Sequence, residues 1–90
     1  MAISIPQVEA YGRMIAAGRM LAGLDQAQLA AAAGVSAATV SNVEGGKDAR
    51  DDTRRALRKA LRQSGVTTSF DVTNGRVLAV MTFEEPDEDE

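Results

Sequence analysis

Residues 24–47, LDQAQLAAAAGVSAATVSNVEGGK, decide the fold of this chain. They read as two short helices joined by a tight turn. Asp25 suits the N-cap of the first helix, and Gly34 stands where a helix end favours a left-handed residue. Ser36 can cap a second helix over residues 37–44. Only about three residues separate the helices, so they must cross sharply and pack, which is the helix-turn-helix layout. In that layout the second helix can be offered to the major groove of DNA.

The same stretch resembles the phage-repressor (Cro/CI-like, XRE-type) helix-turn-helix family, over about residues 13–61. The residues that carry the resemblance are Gln26, Ala30, Gly34, Val40, Val43, Glu44, Gly45, Gly46 and Lys47. A small residue at Ala30 has a mechanical reason, because a larger side chain there would push the second helix away. The resemblance implies a mainly α fold, a small four-helix, lambda-repressor-like domain that binds DNA.

Composition limits the chain to one domain with a modest core, because it has 90 residues, of which 44% are apolar and only 3% aromatic. It contains no Cys and no His, which excludes disulfides, thiolate nucleophiles, zinc clusters and histidine acid–base chemistry. The scattered acids form no acid–base pair, and no glycine loop could cradle a phosphate. We therefore expect no enzyme activity, no metal, no cofactor and no small-molecule substrate. No apolar run approaches a membrane span, so we expect no membrane contact and a cytoplasmic, nucleoid-associated protein.

The charge is unevenly distributed along the chain. The formal net charge is −3, but six of the thirteen acids lie in residues 84–90. The ten basic and seven acidic side chains before residue 84 give a net charge of +3. The tail has high charge and no apolar anchor, a composition typical of disorder. One hypothesis is that this acidic tail competes with DNA for basic residues.

The chain divides into a helical domain at residues 1–65, a β-hairpin at 66–83 and the acidic tail at 84–90. Within the first part the helix-turn-helix occupies residues 25–44. A first helix follows Pro6, and residues 1–5 are an extended arm or edge strand. A fourth helix is expected after residue 50, with Asp51 or Asp52 as its cap. Its inward stripe comprises Thr53, Ala56, Leu57, Ala60, Leu61 and Ser64, and its outer face carries Arg54, Arg55, Arg58, Lys59 and Arg62.

The hairpin is predicted from Asn74-Gly75, a dipeptide that favours two-residue turns between strands. Its register pairs Val66 with Phe83, Thr68 with Met81, Phe70 with Ala79, and Val72 with Val77. This places one apolar face on the hairpin, made of Val66, Phe70, Val72, Val77, Ala79, Met81 and Phe83. An isolated hairpin is marginal in water, so the face must cover either its own helices or a second copy. We favour a homodimer built partly through these residues.

By resemblance, the base-reading residues are Ala37, Ala38, Thr39, Ser41 and Asn42, and the phosphate-binding residues are Gln26, Gln28, Lys47 and Arg50. Among the base readers, Asn42 can pair with adenine through two hydrogen bonds, and alanines can touch a thymine methyl. No Arg stands there to grip guanine. Specificity per half-site should be modest, which favours dimeric binding to an inverted repeat in double-stranded DNA.

The resemblance also implies a structural ion pair between Arg19, in the first helix, and Glu44, which closes the second helix of the motif. A partly buried Arg–carboxylate pair can be bidentate and can fix how two helices dock. Without the resemblance, two solvated surface charges would be the simpler interpretation.

Three functions remain open at this point. The favoured one is a sequence-specific transcriptional regulator, a dimeric repressor of the phage type without a sensor domain. The second is an antitoxin that grips a partner protein while its helices bind operator DNA. The third is an adaptor that uses the helix-turn-helix only for protein interaction, which Ala37, Ala38 and the negative net charge would favour.

Overall fold

The computed structural model describes residues 6–73 and 76–84 of the chain. Four helices precede two antiparallel strands: α1 Gln7–Leu21, α2 Gln26–Ala33, α3 Ala37–Glu44, α4 Asp51–Gln63, β1 Val66–Thr73 and β2 Arg76–Phe83. The predicted class, a mainly α domain of four helices followed by a C-terminal hairpin, is confirmed. The expectations for residues 1–5, for the Asn74-Gly75 turn and for the tail after residue 84 lie outside the described residues.

Local capping sets the bounds of α2 and α3. The Asp25 carboxylate accepts from the Gln28 backbone N–H at 2.7 Å, and the Gln28 side chain accepts from the Asp25 N–H at 2.8 Å. This reciprocal capping box satisfies two backbone donors at the start of α2. Gly34 ends α2 with φ of 73°, and the Ser36 hydroxyl accepts from the Thr39 N–H at 3.1 Å. The helix starts predicted from Asp25 and Ser36 are therefore confirmed.

The expected caps of the fourth helix were wrong. Arg50 occupies the N-cap position of α4 and makes no side-chain cap hydrogen bond. Asp51 and Asp52 lie instead in the first turn. Carboxylates are favourable there because they face the positive end of the helix dipole.

The core draws on all four helices and the first residue of the hairpin. Its largest fully buried side chains are Ile15, Leu29, Val40, Leu57, Leu61 and Val66. In α4 the middle of the predicted inward stripe, Leu57, Ala60 and Leu61, is buried. Val66 is the only strand residue among the buried core residues of the described chain, so β1 starts inside the helical body.

Two glycines allow α1 to approach its neighbours closely. A Cβ on Gly12 would lie 2.1 Å from the Val43 carbonyl oxygen, so α1 crosses directly over the end of α3. A Cβ on Gly18 would lie 3.2 Å from Leu61 Cδ1 and 3.5 Å from Val66 Cγ1. Both glycines therefore permit close packing, and the space at Gly12 is the more restricted.

The hairpin has the predicted register, with Val66 opposite Phe83 and Val72 opposite Val77. Its packing on the helices weakens along β1. Val66 is buried, and Phe70 and Met81 are partly buried against the core, whereas residues 71–73 are exposed. The base of the hairpin therefore packs within its own chain, whereas residues 71–73 of β1 are not covered by it.

Over residues 6–73 and 76–84, no helix has the length and apolar character needed to cross a membrane. The same part of the chain holds no group of acidic side chains placed to bind a metal ion.

Candidate nucleic-acid interface

Helix α3 presents one face to the core and the opposite face to solvent. Val40 and Val43 are buried and fix the helix against the body. Four of the predicted base readers are exposed: Ala37, Ala38, Ser41 and Asn42. Because these positions are one, three, four or five residues apart, they share one side of the helix. The fold therefore leaves this side accessible to a partner.

Thr39, the fifth predicted base reader, occupies a different environment. It is half-buried, and its hydroxyl lies 2.9 Å from the Ser36 hydroxyl, next to the N-cap. The side chain thus takes part in the start of α3, which reduces its capacity to contact a base. The cap at Ser36 was visible in the sequence, and a residue three positions after such a cap commonly joins it.

The candidate phosphate contacts lie near the starts and ends of α2, α3 and α4. Gln26 donates through Nε2 to Glu44 Oε1 at 2.9 Å, and the side-chain oxygen Oε1 of Gln28 accepts from the Asp25 N–H in the capping box. Each amide still has an N–H available for a phosphate oxygen. Lys47 is exposed, and its backbone N–H donates to the Asn42 carbonyl at the end of α3. Arg50 is exposed and lies 3.5 Å from Asp52.

Arg19 and Glu44 form a bidentate ion pair. Arg19 Nε lies 2.7 Å from Glu44 Oε2 and Nη2 lies 3.1 Å from Oε1. The side chains are 17% and 8% exposed, respectively. Arg19 Nη1 also donates to the Leu24 carbonyl at 2.9 Å, which ties in the α1–α2 connection. With the Gln26 contact, one carboxylate links α1, α2 and α3 and sets the position of the exposed α3 face.

The hydrogen bond to Glu44 raises the pKa of Arg19 above its ordinary value, against the opposing effect of burial. A basic group whose pKa is raised by folding stabilises the folded state fully at pH values below its pKa in the unfolded chain. This stabilisation is lost as the pH rises through the pKa of the folded state. Since that pKa is already far above neutral, Arg19 gives the fold no pH dependence near neutrality.

The predicted positions of two arginines of α4 were wrong. Arg54 and Arg58 were expected on the outer face, but both turn toward Tyr11 of α1. Arg58 Nη1 donates to the Tyr11 hydroxyl at 2.9 Å, and the Arg54 guanidinium lies 5.6 Å from the Tyr11 ring centroid. Arg54 also pairs with Asp48 and Asp51. Helical spacing could not reveal this, because Tyr11 lies 47 residues from Arg58.

The predicted dimerisation residues do not form one accessible surface. Val66 is completely buried in its own chain, and Phe70 and Met81 are partly buried against the core. Val72 and Phe83 are 39% and 43% exposed. The side chains of Val77 and Ala79 lie outside the described part. Val72 and Phe83 are therefore the described members of the set that a second chain could reach.

Comparison with known proteins places these features in a family. A family model described as a helix-turn-helix domain matches residues 10–69, which is most of the chain. A search of curated proteins finds no match. The matched region contains all four described helices except the first turn of α1, and it includes α2, α3 and the Arg19–Glu44 pair. The chain therefore belongs to the helix-turn-helix domain family, whose members bind DNA.

Proposed function

We propose that this chain is a sequence-specific transcriptional regulator, a dimeric repressor of the phage type that inserts α3 into the major groove of an inverted-repeat operator. The observation that carries the proposal is the exposed face of α3, set on a helix whose other face is locked by Val40, Val43 and Glu44. Rigid support matters because base contacts discriminate only when side chains are held in place.

The exposed face has limited reading chemistry. Asn42 can donate to and accept from one adenine edge, and Ser41 can donate or accept. Ala37 and Ala38 offer only methyl contacts, which suit thymine. A single α3 would therefore discriminate weakly between sequences. Two copies related by a two-fold axis double the number of base contacts, and this supports an inverted repeat as the operator.

Phosphate contacts would add affinity and fix the register on the duplex. Gln26 and Gln28 stand in the first turn of α2, where the helix dipole favours an anion. Lys47 and Arg50 lie in the loop between α3 and α4. In this proposal the protein acts in the cytoplasm and is nucleoid-associated when bound.

The test is an unbiased selection of DNA fragments by the purified protein at near-physiological salt. We expect enrichment of an inverted repeat whose half-sites lie about one helical turn, roughly 10 base pairs, apart. Asn42→Ala should abolish the enrichment. Gln63→Ala changes an exposed side chain at the end of α4 and serves as the control, which should retain the enrichment. An unchanged enrichment in Asn42→Ala would contradict the assignment of α3 as the reading helix.

A second candidate function rests on the hairpin. Val72 and Phe83 remain exposed apolar side chains on a hairpin whose base already packs within the chain. A protein other than a second copy could cover them, as in an antitoxin that binds its toxin while α3 binds DNA. A co-expressed protein that copurifies, together with DNA selection that succeeds only in its presence, would favour this alternative. Selection of no DNA under either condition would favour an adaptor.

A further inference from the structure

A groove of about 840 Å³ lies between α1, α4 and β1. None of the residues proposed to contact DNA is among the described residues that line it. Its volume falls within the range of roughly 300–1,000 Å³ that is common for small-molecule sites. The groove is thus separate from the α3 face and large enough for a compact ligand.

The floor of the groove is apolar and partly aromatic. The rings of Tyr11 and Phe70 meet edge to face, with centroids 5.3 Å apart and planes at 88°. Val8 of α1 adds an aliphatic surface beside them. Such a floor favours a planar or aliphatic body, because burial of apolar area on the rings removes it from water.

Two cations, Arg55 and Arg58, line the groove with most of their donors available. Arg58 uses one N–H on the Tyr11 hydroxyl, which leaves four for a ligand. Arg55 is exposed and forms neither an ion pair nor a side-chain hydrogen bond with any described residue. Arg54, whose guanidinium lies 5.6 Å from the Tyr11 ring centroid, is already neutralised by Asp48 and Asp51, which also line the groove. The uncompensated positive charge of the lining therefore belongs to Arg55 and Arg58.

The wall contributed by β1 contains an unpaired polar atom. Thr68 Oγ1 is buried, and among the side chains that the structure describes it is the one buried polar atom without a hydrogen-bond partner. Buried hydroxyls are normally paired, and a polar group bound at this wall could supply the partner after a small rotation of the side chain.

We infer that the groove is a binding site for a small organic anion. Its acidic group, a carboxylate or sulfonate, accepts hydrogen bonds from Arg55 and Arg58, and its planar or aliphatic body lies on Phe70, Tyr11 and Val8. The acidic tail of the chain is a poorer occupant, because residues 84–90 carry no aromatic side chain and Pro86 is their one apolar side chain. Such a site would give the protein an input for a chemical signal, and the inference does not depend on the proposed DNA-binding function.

The test compares two fluorescent probes that differ mainly in charge, 8-anilinonaphthalene-1-sulfonate and its uncharged analogue N-phenyl-1-naphthylamine. We expect the sulfonate to bind the full chain saturably with one site per chain. Arg55→Gln and Arg58→Gln should each weaken sulfonate binding roughly fivefold to tenfold, since each removes a charged donor. Binding of the uncharged probe should change less than twofold. Arg62→Gln, an exposed position on α4 outside the groove, is the matched control and should change neither probe.

Arg55→Gln keeps the test decisive even if Arg58→Gln disturbs the Tyr11 contact, because Arg55 makes no ion pair or side-chain hydrogen bond with any described residue. Thermal melts of all variants identify any loss of folding. The proposal is overturned by three results: absent or non-saturable sulfonate binding, equal effects of Arg55→Gln and Arg62→Gln, or sulfonate binding that appears only after removal of residues 85–90. The last result would make the tail the occupant of the groove.

Discussion

Arg19 and Glu44 together connect three helices. It holds Glu44 of α3 through two hydrogen bonds and the Leu24 carbonyl through a third, while Glu44 also accepts from Gln26 of α2. A bidentate pair is stronger and more directional than a single ion pair. The pair fastens α3 to α1, and the Gln26 contact fastens α3 to α2. In the proposed function, this arrangement would position the exposed α3 face for the major groove.

Arg19→Ala should destabilise the fold strongly, because the Glu44 carboxylate would stay buried without its cation. Breaking such a pair costs roughly 3–5 kcal/mol. We expect the lower end, since Gln26 still donates to Glu44. At about 4 °C per kcal/mol for a domain of this size, the Tm should fall by about 12 °C or more. Arg62→Ala, at an exposed position, is the control in thermal melts by circular dichroism. Equal losses in the two variants would contradict the structural role of the pair.

Gly12 shows that packing can reverse the effect of helix propensity. In an exposed helix interior, Gly→Ala gains about 1 kcal/mol. At Gly12 the new Cβ would meet the Val43 carbonyl at 2.1 Å, so α1 and α3 must separate. Overpacking of this kind costs roughly 1–3 kcal/mol.

We therefore expect Gly12→Ala to lower the Tm by about 5 °C or more, measured under the same conditions. Gly18→Ala is the matched control in the same helix, because its closest contact is the end of the flexible Leu61 side chain at 3.2 Å. It should have the smaller effect. A higher Tm for Gly12→Ala would show that propensity outweighs the α1–α3 contact.

At the scale of elements, α4 has a divided role. Its inner side supplies Leu57 and Leu61 to the core, and its flank binds Tyr11 through Arg54 and Arg58. Only part of the predicted basic face, Arg55, Lys59 and Arg62, is exposed. The helix therefore presents fewer accessible cations to a partner than its sequence indicates.

The hairpin is also divided, into a base that packs on the helices and an end that does not. If the exposed part of its apolar face joins two copies, Val72→Glu should weaken the dimer without unfolding the chain. A charge at a partly desolvated contact is unfavourable, and Val72 carries little of the core. Ser69→Glu lies on the opposite face of the same strand and should leave the dimer intact. Light scattering over a concentration series measures the oligomeric state of both variants and of the wild-type chain. A wild-type chain that is monomeric at micromolar concentration would contradict the dimer.

For the whole molecule, the net charge of −3 conceals a body of opposite sign. Removal of residues 85–90 takes away five acidic groups and keeps Glu84, whose backbone N–H donates to the Gly65 carbonyl at 2.9 Å. We expect several-fold tighter non-specific DNA binding at low salt, because the remaining chain is net positive. The difference should vanish at high salt, where charges are screened.

The matched control for that deletion keeps the tail length and replaces its acids by Gln or Asn. If charge is the cause, this variant should bind non-specific DNA as tightly as the truncated chain. Titrations by fluorescence anisotropy at two salt concentrations make the comparison. Unchanged affinity at low salt in both variants would remove the hypothesis that the tail competes with DNA.

The sequence by itself determined the features that depend on local signals. The bounds of α2 and α3 followed from Asp25, Gly34 and Ser36, because caps and left-handed residues act within one helical turn. The register of the hairpin followed from Asn74-Gly75 and from the alternation of apolar residues, because a slip by one residue would move every side chain to the other face. Resemblance to a family, rather than any local pattern, suggested that Arg19 and Glu44 would pair.

Tertiary structure alone decided which of the predicted surfaces are accessible. Val66 entered the core, Gln26 turned to Glu44, and Arg58 turned to Tyr11, although each was expected at a surface contact or on an outer face. These outcomes depend on partners 18 to 47 residues away along the chain, as for Gln26 and Arg58. Helical or strand periodicity gives the direction of a side chain from its own element, but it contains no information on what another element places there. The groove beside Tyr11 and Phe70 could be found only once α1, α4 and β1 had been brought together.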